Sequence, residues 1–357
     1  MRCPECEEFD QLLFPENDLY FSFPLKHTQE KFSAYCARGK IAENNAGKSA
    51  SVVSLPKTAL GPFFTGLSGL LTEEELSAIK VLSCPARATP TIDDFGRVVP
   101  LDRMIASHQA TWIESIITGN SYKSLFQPMF NGADGKLVAV EALFRGIDEN
   151  GQLIPPAFLF ELAHRARMTF QTDLAARRSA VTMAAAGGLQ DLLLFINFNP
   201  TSIYDPAYCL RSTVSTITEL GFKPSNIVFE VTETEHVTNL DHLRGILAFY
   251  RRNGFKIALD DVGSGYSGLN LLKELQPDYL KIDMHLIRDI DIDPFRQSIV
   301  THIVAIAREN GIKVVAEGLE TPEERAWASK LNVDLCQGYL FSKPVEAHQV
   351  RDAYKAQ

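Results

Sequence analysis

From about residue 120 onward the chain repeats one pattern: a short run of β-branched and apolar residues, a longer helical stretch, then another run. Few folds accommodate that alternation, because parallel strands need helical crossovers and collect into a single sheet or barrel. The runs read SLFQPMF, LVAVEALFR, LLLFINFN, NIVFEVTE, KIALDD, YLKID, KVVAEG and DLCQGYLF. Eight such strands close a barrel. The first two are joined only by NGADGK, too short for a helix, which predicts an antiparallel hairpin. The expected fold is therefore α/β: a TIM-like (β/α)8 barrel with an antiparallel first strand, plus a small N-terminal α+β domain. The boundary is expected near residue 100, after the Pro-containing stretch CPARATPTIDDFGRVVP, giving domains 1–100 and 101–357.

The strand ends carry the chemistry. They read Glu141, Asn197, Glu230, the pair Asp260 and Asp261, Lys281, Glu317 and Gln337. A barrel gathers the C-terminal ends of its strands at one face, so residues distant in sequence converge there. Two carboxylates about 4 Å apart in a partly buried site repel by roughly 4 kcal/mol at an effective dielectric constant of 20. One lysine cannot neutralise five of them. Divalent cations can, and an all-oxygen donor set suits Mg²⁺ or Mn²⁺ rather than zinc. Adjacent aspartates can serve two ions, Asp260 bridging and Asp261 binding mainly the second. Two such ions about 3.5–4 Å apart are the usual device for phosphodiester cleavage. The following GSGYSG reads as a loop that orders over the site. Taken singly, each polar end has a plain structural role available: Lys281 as an ion-pair partner of Asp260 or Asp283, Gln337 as a hydrogen-bonding neighbour. Their recurrence on nearly every strand favours a site.

These segments, in this order, resemble the EAL-domain phosphodiesterases, which hydrolyse cyclic di-GMP to linear pGpG. The resemblance covers about residue 105 to the C-terminus. Its marks are FQP at Phe126–Pro128, the tripeptide Glu141-Ala142-Leu143, FEVTE from Phe229, DDVGSGYSGL from Asp260, LKID from Leu280, VAEGLET from Val315 and QGYLFSKP from Gln337. It implies that Glu141, Asn197, Glu230 and Asp260 hold a first Mg²⁺ or Mn²⁺, and that Asp260 and Asp261 hold a second with Glu317 close by. Lys281 and Glu317 are then the two candidates for orienting and deprotonating the attacking water, with either one open as its base. Gln127, Leu143, Arg145 and Gln337 are implied to meet substrate, Arg145 through a phosphate. Glu233 would anchor the loop, reaching Ser264 or backbone amides, and Glu320 would support the site from behind. A homodimer through helices beside the loop is implied. Because an oxygen-donor site of this kind wants small octahedral ions, Ca²⁺ is expected to bind but inhibit. The chain departs from the common pattern at Val262, Ser264, Gly268 and Gly146, none of them a metal ligand. The alternative is a domain that binds the dinucleotide or a protein without cleaving it; a third reading is a hydrolase for another cyclic dinucleotide.

Composition sets limits on the rest. The 357 residues are 45% hydrophobic and 22% charged, ordinary for a globular protein. A net charge of −9 argues against nucleic acid and anionic membrane as partners. The N-terminus MRCPECEEFD is acidic where a signal peptide is basic, and no apolar stretch approaches the ~20 residues of a membrane span, so the expected location is cytoplasmic. Cys3 and Cys6 could form half a zinc site with His27 and Cys36 or Cys84, but a reduced terminus is the simpler reading. LYFSFPLKHTQEKF alternates like a strand and opens a sensory, docking or purely structural N-terminal domain, and LTEEELSAIKVL reads as a helix capped by Thr72 and Glu75.

Overall fold

The computed structural model describes residue 9 and residues 12–203, 205–232, 240–263 and 268–353. The chain divides into two units: one holds Glu8–Asn120 together with Pro155–Thr172, the other Ser121–Ile154 and the chain from Asp173 on.

In the first unit β1 (Glu16–Ser22), β2 (Glu43–Gly47), β3 (Ala50–Pro56), β4 (Lys80–Pro85) and β5 (Val99–Pro100) form a sheet in the order β2-β3-β1-β4-β5. Every pairing is antiparallel. The apolar alternation of LYFSF sends Leu19 and Phe21 to one face, as a half-buried strand requires. There they meet Phe32 of the helix Lys26–Arg38 and Phe63 of the helix Lys57–Ser68 in one core. The rings of Phe21 and Phe32 lie 4.6 Å apart. Thr72 and Glu75 form the expected capping box on the helix Glu73–Ala78. Glu75 also pairs with Lys31 at 2.8 Å and His27 at 3.3 Å. Cys36 lies in the apolar core, where burial pushes its thiol up to about 12; Cys3 and Cys6 lie outside the described residues.

This unit runs past residue 100. The helices Leu101–Gln109 and Thr111–Thr118 bury Ala106, Ala110 and Ile113 against Leu162 and Ala163 of the helix Pro156–Arg165. That apolar face belongs to a helix which, by sequence, follows the first barrel strands.

The second unit is a closed barrel. Its strands are β6 (Tyr122–Asn131), β7 (Leu137–Ile147), β9 (Leu193–Asn197), β10 (Ile227–Thr232), β11 (Lys256–Val262), β12 (Tyr279–Ile282), β13 (Lys313–Ala316) and β14 (Leu335–Cys336), with β8 (Leu153–Ile154) paired outside the ring to β7. Strand β6 runs antiparallel to both neighbours, β7 and β14, and closes the ring; the remaining ring pairings are parallel. The expected barrel with an irregular opening strand is what the chain forms.

Each ring strand contributes one residue to a single apolar layer: Met129, Ala139, Phe195, Val228, Ala258, Tyr279, Val315 and Leu335. This is how small barrels fill their interiors. Phe195 and Tyr279 meet edge to face at 5.1 Å. Replacing the fully buried Phe195 by Ala should cost about 3–5 kcal/mol. Urea unfolding followed by circular dichroism should show that loss, with Phe195→Leu well below it.

Candidate active site

Side chains two residues apart on a strand share a face. Two residues on from the apolar layer, toward one mouth of the barrel, stand Gln127, Glu141, Asn197, Glu230, Asp260, Lys281, Glu317 and Gln337. Strand β6 runs the other way, so its step leads from Met129 back to Gln127, which pairs in register with Glu141. One polar residue per strand, stacked on one apolar residue per strand, makes the floor of the site.

Lys281 stands at its centre, 1% exposed. Its Nζ lies 2.6 Å from Glu230 Oε1, 2.7 Å from Glu317 Oε1, 2.9 Å from Asp260 Oδ1 and 3.6 Å from Glu141 Oε2. Burial alone would lower its pKa, but Asp260, Glu141, Glu230 and Glu317 together hold it well above the ordinary lysine value. Asp283, the other partner open to it by sequence, caps the helix Met284–Ile287 by accepting from His285 N at 2.7 Å. Burial raises Glu230 and Glu317 well above the usual carboxylate range, Lys281 opposing and the neighbouring carboxylates reinforcing the shift. Asp261 is pushed up to about 6 by burial and then by Asp260.

Asp260 and Asp261 both reach the site because the strand is irregular there. Between Leu259 and Val262 the register of β11 against β12 slips by one residue, a β-bulge. Asp261 takes up the bend with φ at 56°, a left-handed conformation that aspartate tolerates better than most residues. Its backbone N–H donates to Asp260 Oδ1 at 3.0 Å. Alternation would otherwise send consecutive side chains to opposite faces.

The donor set fits cations. Glu141, Glu230 and Asp260 can bring one oxygen each within 4.8 Å of one another, as can Asp260, Asp261 and Glu317. Asp260 belongs to both groups. Glu230 is fully buried, and its Oε2 has no hydrogen-bond donor among the described residues. A buried carboxylate oxygen left so is costly unless a cation takes it. Asn197 Nδ2 lies 3.4 Å from Glu141 Oε1, so a half-turn of its amide presents the oxygen to the first group. Gln337 Nε2 donates to Glu141 Oε2 at 2.7 Å. Its own position depends on Gly338: a Cβ there would come within 2.0 Å of Leu319 O and 2.3 Å of Leu319 N.

Around this floor, Leu143 and Arg145 continue the face of Glu141 along β7. Arg145 is half-buried; its Nη1 donates to Phe144 O at 2.8 Å, and burial lowers its pKa against the pull of Glu141 and Tyr339. Gln127 Nε2 donates to Ser342 O at 3.4 Å. Glu320 turns to Arg288, 2.6 Å from its Nη2. Arg288, which no motif in the sequence marks, also reaches Gly318 O at 3.4 Å, next to Glu317. Glu233 and Ser264 lie outside the described residues.

Residues 111–344 match the pattern described as the EAL domain, and the chain belongs to that family. It is similar to the probable cyclic di-GMP phosphodiesterase PdeG of Escherichia coli K12, 34% identical over 229 residues, which cover 62% of this chain and 44% of the relative. The blue light- and temperature-regulated antirepressor BluF of the same organism is 28% identical, over 61% of this chain and 53% of its own. The chain thus spans about half the length of these two curated relatives. Among solved structures, a standalone versatile EAL protein of Vibrio cholerae O395 in its c-di-GMP bound form is 37% identical with a TM-score of 0.57, covering 63% of this chain and 93% of that one. Klebsiella pneumoniae BlrP1 in a manganese and cy-diGMP complex is 25% identical with a TM-score of 0.57, over 92% of this chain and 96% of its own. A calcium complex of BlrP1 matches equally.

Asparagine also tolerates the left-handed conformation, so Asp261→Asn removes one clustered charge while keeping the bulge. In metal-free protein the melting temperature should rise by a few degrees in scanning calorimetry; a fall would mean that like-charge repulsion is not a cost of this site.

Proposed function

We propose that this chain hydrolyses cyclic di-GMP to linear pGpG at the barrel mouth, using two divalent cations, Mg²⁺ or Mn²⁺. The observation that supports this most is the pair of overlapping carboxylate groups sharing Asp260. Glu141, Asn197, Glu230 and Asp260 would hold one ion, Asp260 and Asp261 the other, with Glu317 beside it. Bound there, the ions supply the Lewis acidity and positive charge that attack of water on a phosphodiester needs. The protein's own groups do the rest. Lys281, an ammonium with donors only, orients the water, and Glu317, a carboxylate 2.7 Å away, can take its proton. Arg145 meets a phosphate with a fork of donors matched to its oxygens, while Gln127, Leu143 and Gln337 line the approach. Water adds to phosphorus, one phosphorus–oxygen ester bond breaks, and the leaving sugar oxygen gains a proton. Glu233 is proposed to hold the loop containing Ser264 closed, and Glu320 to brace the Glu317 segment through Arg288.

A second reading, a receptor that binds without cleaving, draws on the relative named as an antirepressor. Against it stands the full donor set, since a pure receptor has no need to keep every metal-ligating position. We place the protein in the cytoplasm, where the buried thiols of Cys36, Cys84 and Cys336 stay reduced. The domain preceding the barrel is proposed to regulate it or dock a partner. A homodimer draws support from the helix Pro294–Glu309 and the residues before it: Ile292, Phe295, Ile299, His302 and Ile306 follow a 3-4-3-4 spacing. Ile292 and Phe295 are 74% and 75% exposed. Such a seam suits a second helix.

Incubation with cyclic di-GMP and Mn²⁺, with products separated by chromatography, should yield pGpG. Glu141→Ala or EDTA should abolish it, and Ca²⁺ in place of Mn²⁺ should cut the rate at least ~100-fold, because Ca²⁺ prefers longer, more numerous bonds. Tight binding of the dinucleotide without product would favour the receptor. Phe295→Glu should convert a dimer to a monomer in light scattering; an unchanged mass would move the dimer contact elsewhere.

A further inference from the structure

The helix Thr169–Ala186 carries two charges where its pattern calls for apolar residues. Asp173 and Arg177 stand one turn apart, in line with the buried Ala180 and Ala184, and are themselves 4% and 0% exposed. An apolar pair of similar volume would avoid the desolvation of both ions, so stability alone does not account for them. Their contacts point toward the site. Arg177 Nη2 lies 2.9 Å from Asp173 Oδ2. Asp173 Oδ1 accepts from the backbone N–H of Asn199 at 3.0 Å, two residues beyond Asn197. Arg177 Nη1 donates to Thr213 Oγ1 at 3.1 Å, and its guanidinium lies beside the Tyr250 hydroxyl. The Tyr250 ring stacks on Phe229 with centroids 3.9 Å apart, and both meet Phe198. Phe198 and Phe229 each adjoin a site residue, Asn197 and Glu230, and those two are register partners across β9 and β10.

We infer that the Asp173–Arg177 pair is a positioning device for the metal site: it fixes the chain just beyond β9 so that the Asn197 amide stays at Glu141, and through Tyr250 it braces Phe229 behind Glu230. Neither residue touches substrate or cation. The inference rests on the two-cation reading of the site, and predicts that the pair sets cation affinity more than chemistry. Asp173→Asn keeps the shape and the acceptor for Asn199 but leaves Arg177 without its counter-charge. Arg177→Met keeps bulk and removes the fork.

The test is calorimetric titration of the full-length chain with Mn²⁺, without substrate, beside turnover measured as a function of Mn²⁺. Both variants should bind Mn²⁺ at least ~10-fold more weakly, the scale on which groups behind metal ligands act, with kcat at saturating Mn²⁺ within about threefold of the parent. Val304→Ala, in the buried face of the helix Pro294–Glu309, serves as a control for general destabilisation and should leave Mn²⁺ affinity unchanged. If Asp173→Asn fails to fold, Arg177→Lys, which keeps the charge and loses the bond to Thr213, should still show weakened Mn²⁺ binding. Parental affinity in the folded variants, or equal weakening in Val304→Ala, would overturn the inference alone. A parent chain that binds no Mn²⁺ would overturn the two-cation reading and the inference with it.

Discussion

One buried ammonium facing an excess of carboxylates is the constraint on which the site turns. Lys281 contacts Glu141, Glu230, Asp260 and Glu317 at once, and Asp261 stands beyond them. Five carboxylates around one lysine leave a deficit of positive charge in a place that water reaches poorly. At an effective dielectric constant near 20, each close pair of like charges costs roughly 4 kcal/mol. The chain lessens this by raising the proton affinity of Glu230, Glu317 and Asp261. A protein built only for stability would place apolar residues there. The arrangement is reasonable as a receptacle for cations, and the Glu230 oxygen that has no hydrogen-bond donor among the described residues is where one fits.

Barrel geometry supplies the precision. An apolar layer with one side chain from every strand fixes the height of the next layer, so eight polar side chains arrive at a common level from segments spread over two hundred residues of chain. The paired aspartates needed more than regular strand geometry. The bulge at Asp260 and Asp261, with its left-handed backbone, places two consecutive carboxylates on one side, at a conformational cost of about 1–2 kcal/mol. Gly338 adds a second local device, a close approach of backbone that no side chain would permit.

Much of this was legible in the sequence for a physical reason: strands bury alternate residues, so the β-rich runs and their polar ends could be read directly, and the barrel and seven residues of its polar layer follow from them; Gln127, inside the antiparallel β6 and not at a strand end, came only from the family resemblance. The bulge was not legible, because a positive φ at Asp261 leaves no mark in a pattern of residue types. Glu320 lies close to Glu317 in sequence, yet the turn between them directs it to Arg288. The helix Pro156–Arg165 shows an apolar face in its sequence, but no periodicity says which neighbour covers it; here the neighbours are helices that precede the barrel. Arg177 has no signature that separates it from Arg178 beside it.

The central claim is that the mouth holds two cations bridged by Asp260. Electron paramagnetic resonance of the chain loaded with Mn²⁺ addresses it directly, since two ions sharing a carboxylate couple magnetically and a lone ion does not. The account predicts a coupled spectrum for the parent chain and only isolated-ion signals for Asp260→Asn. Isolated-ion signals from the parent at every Mn²⁺ ratio would contradict it.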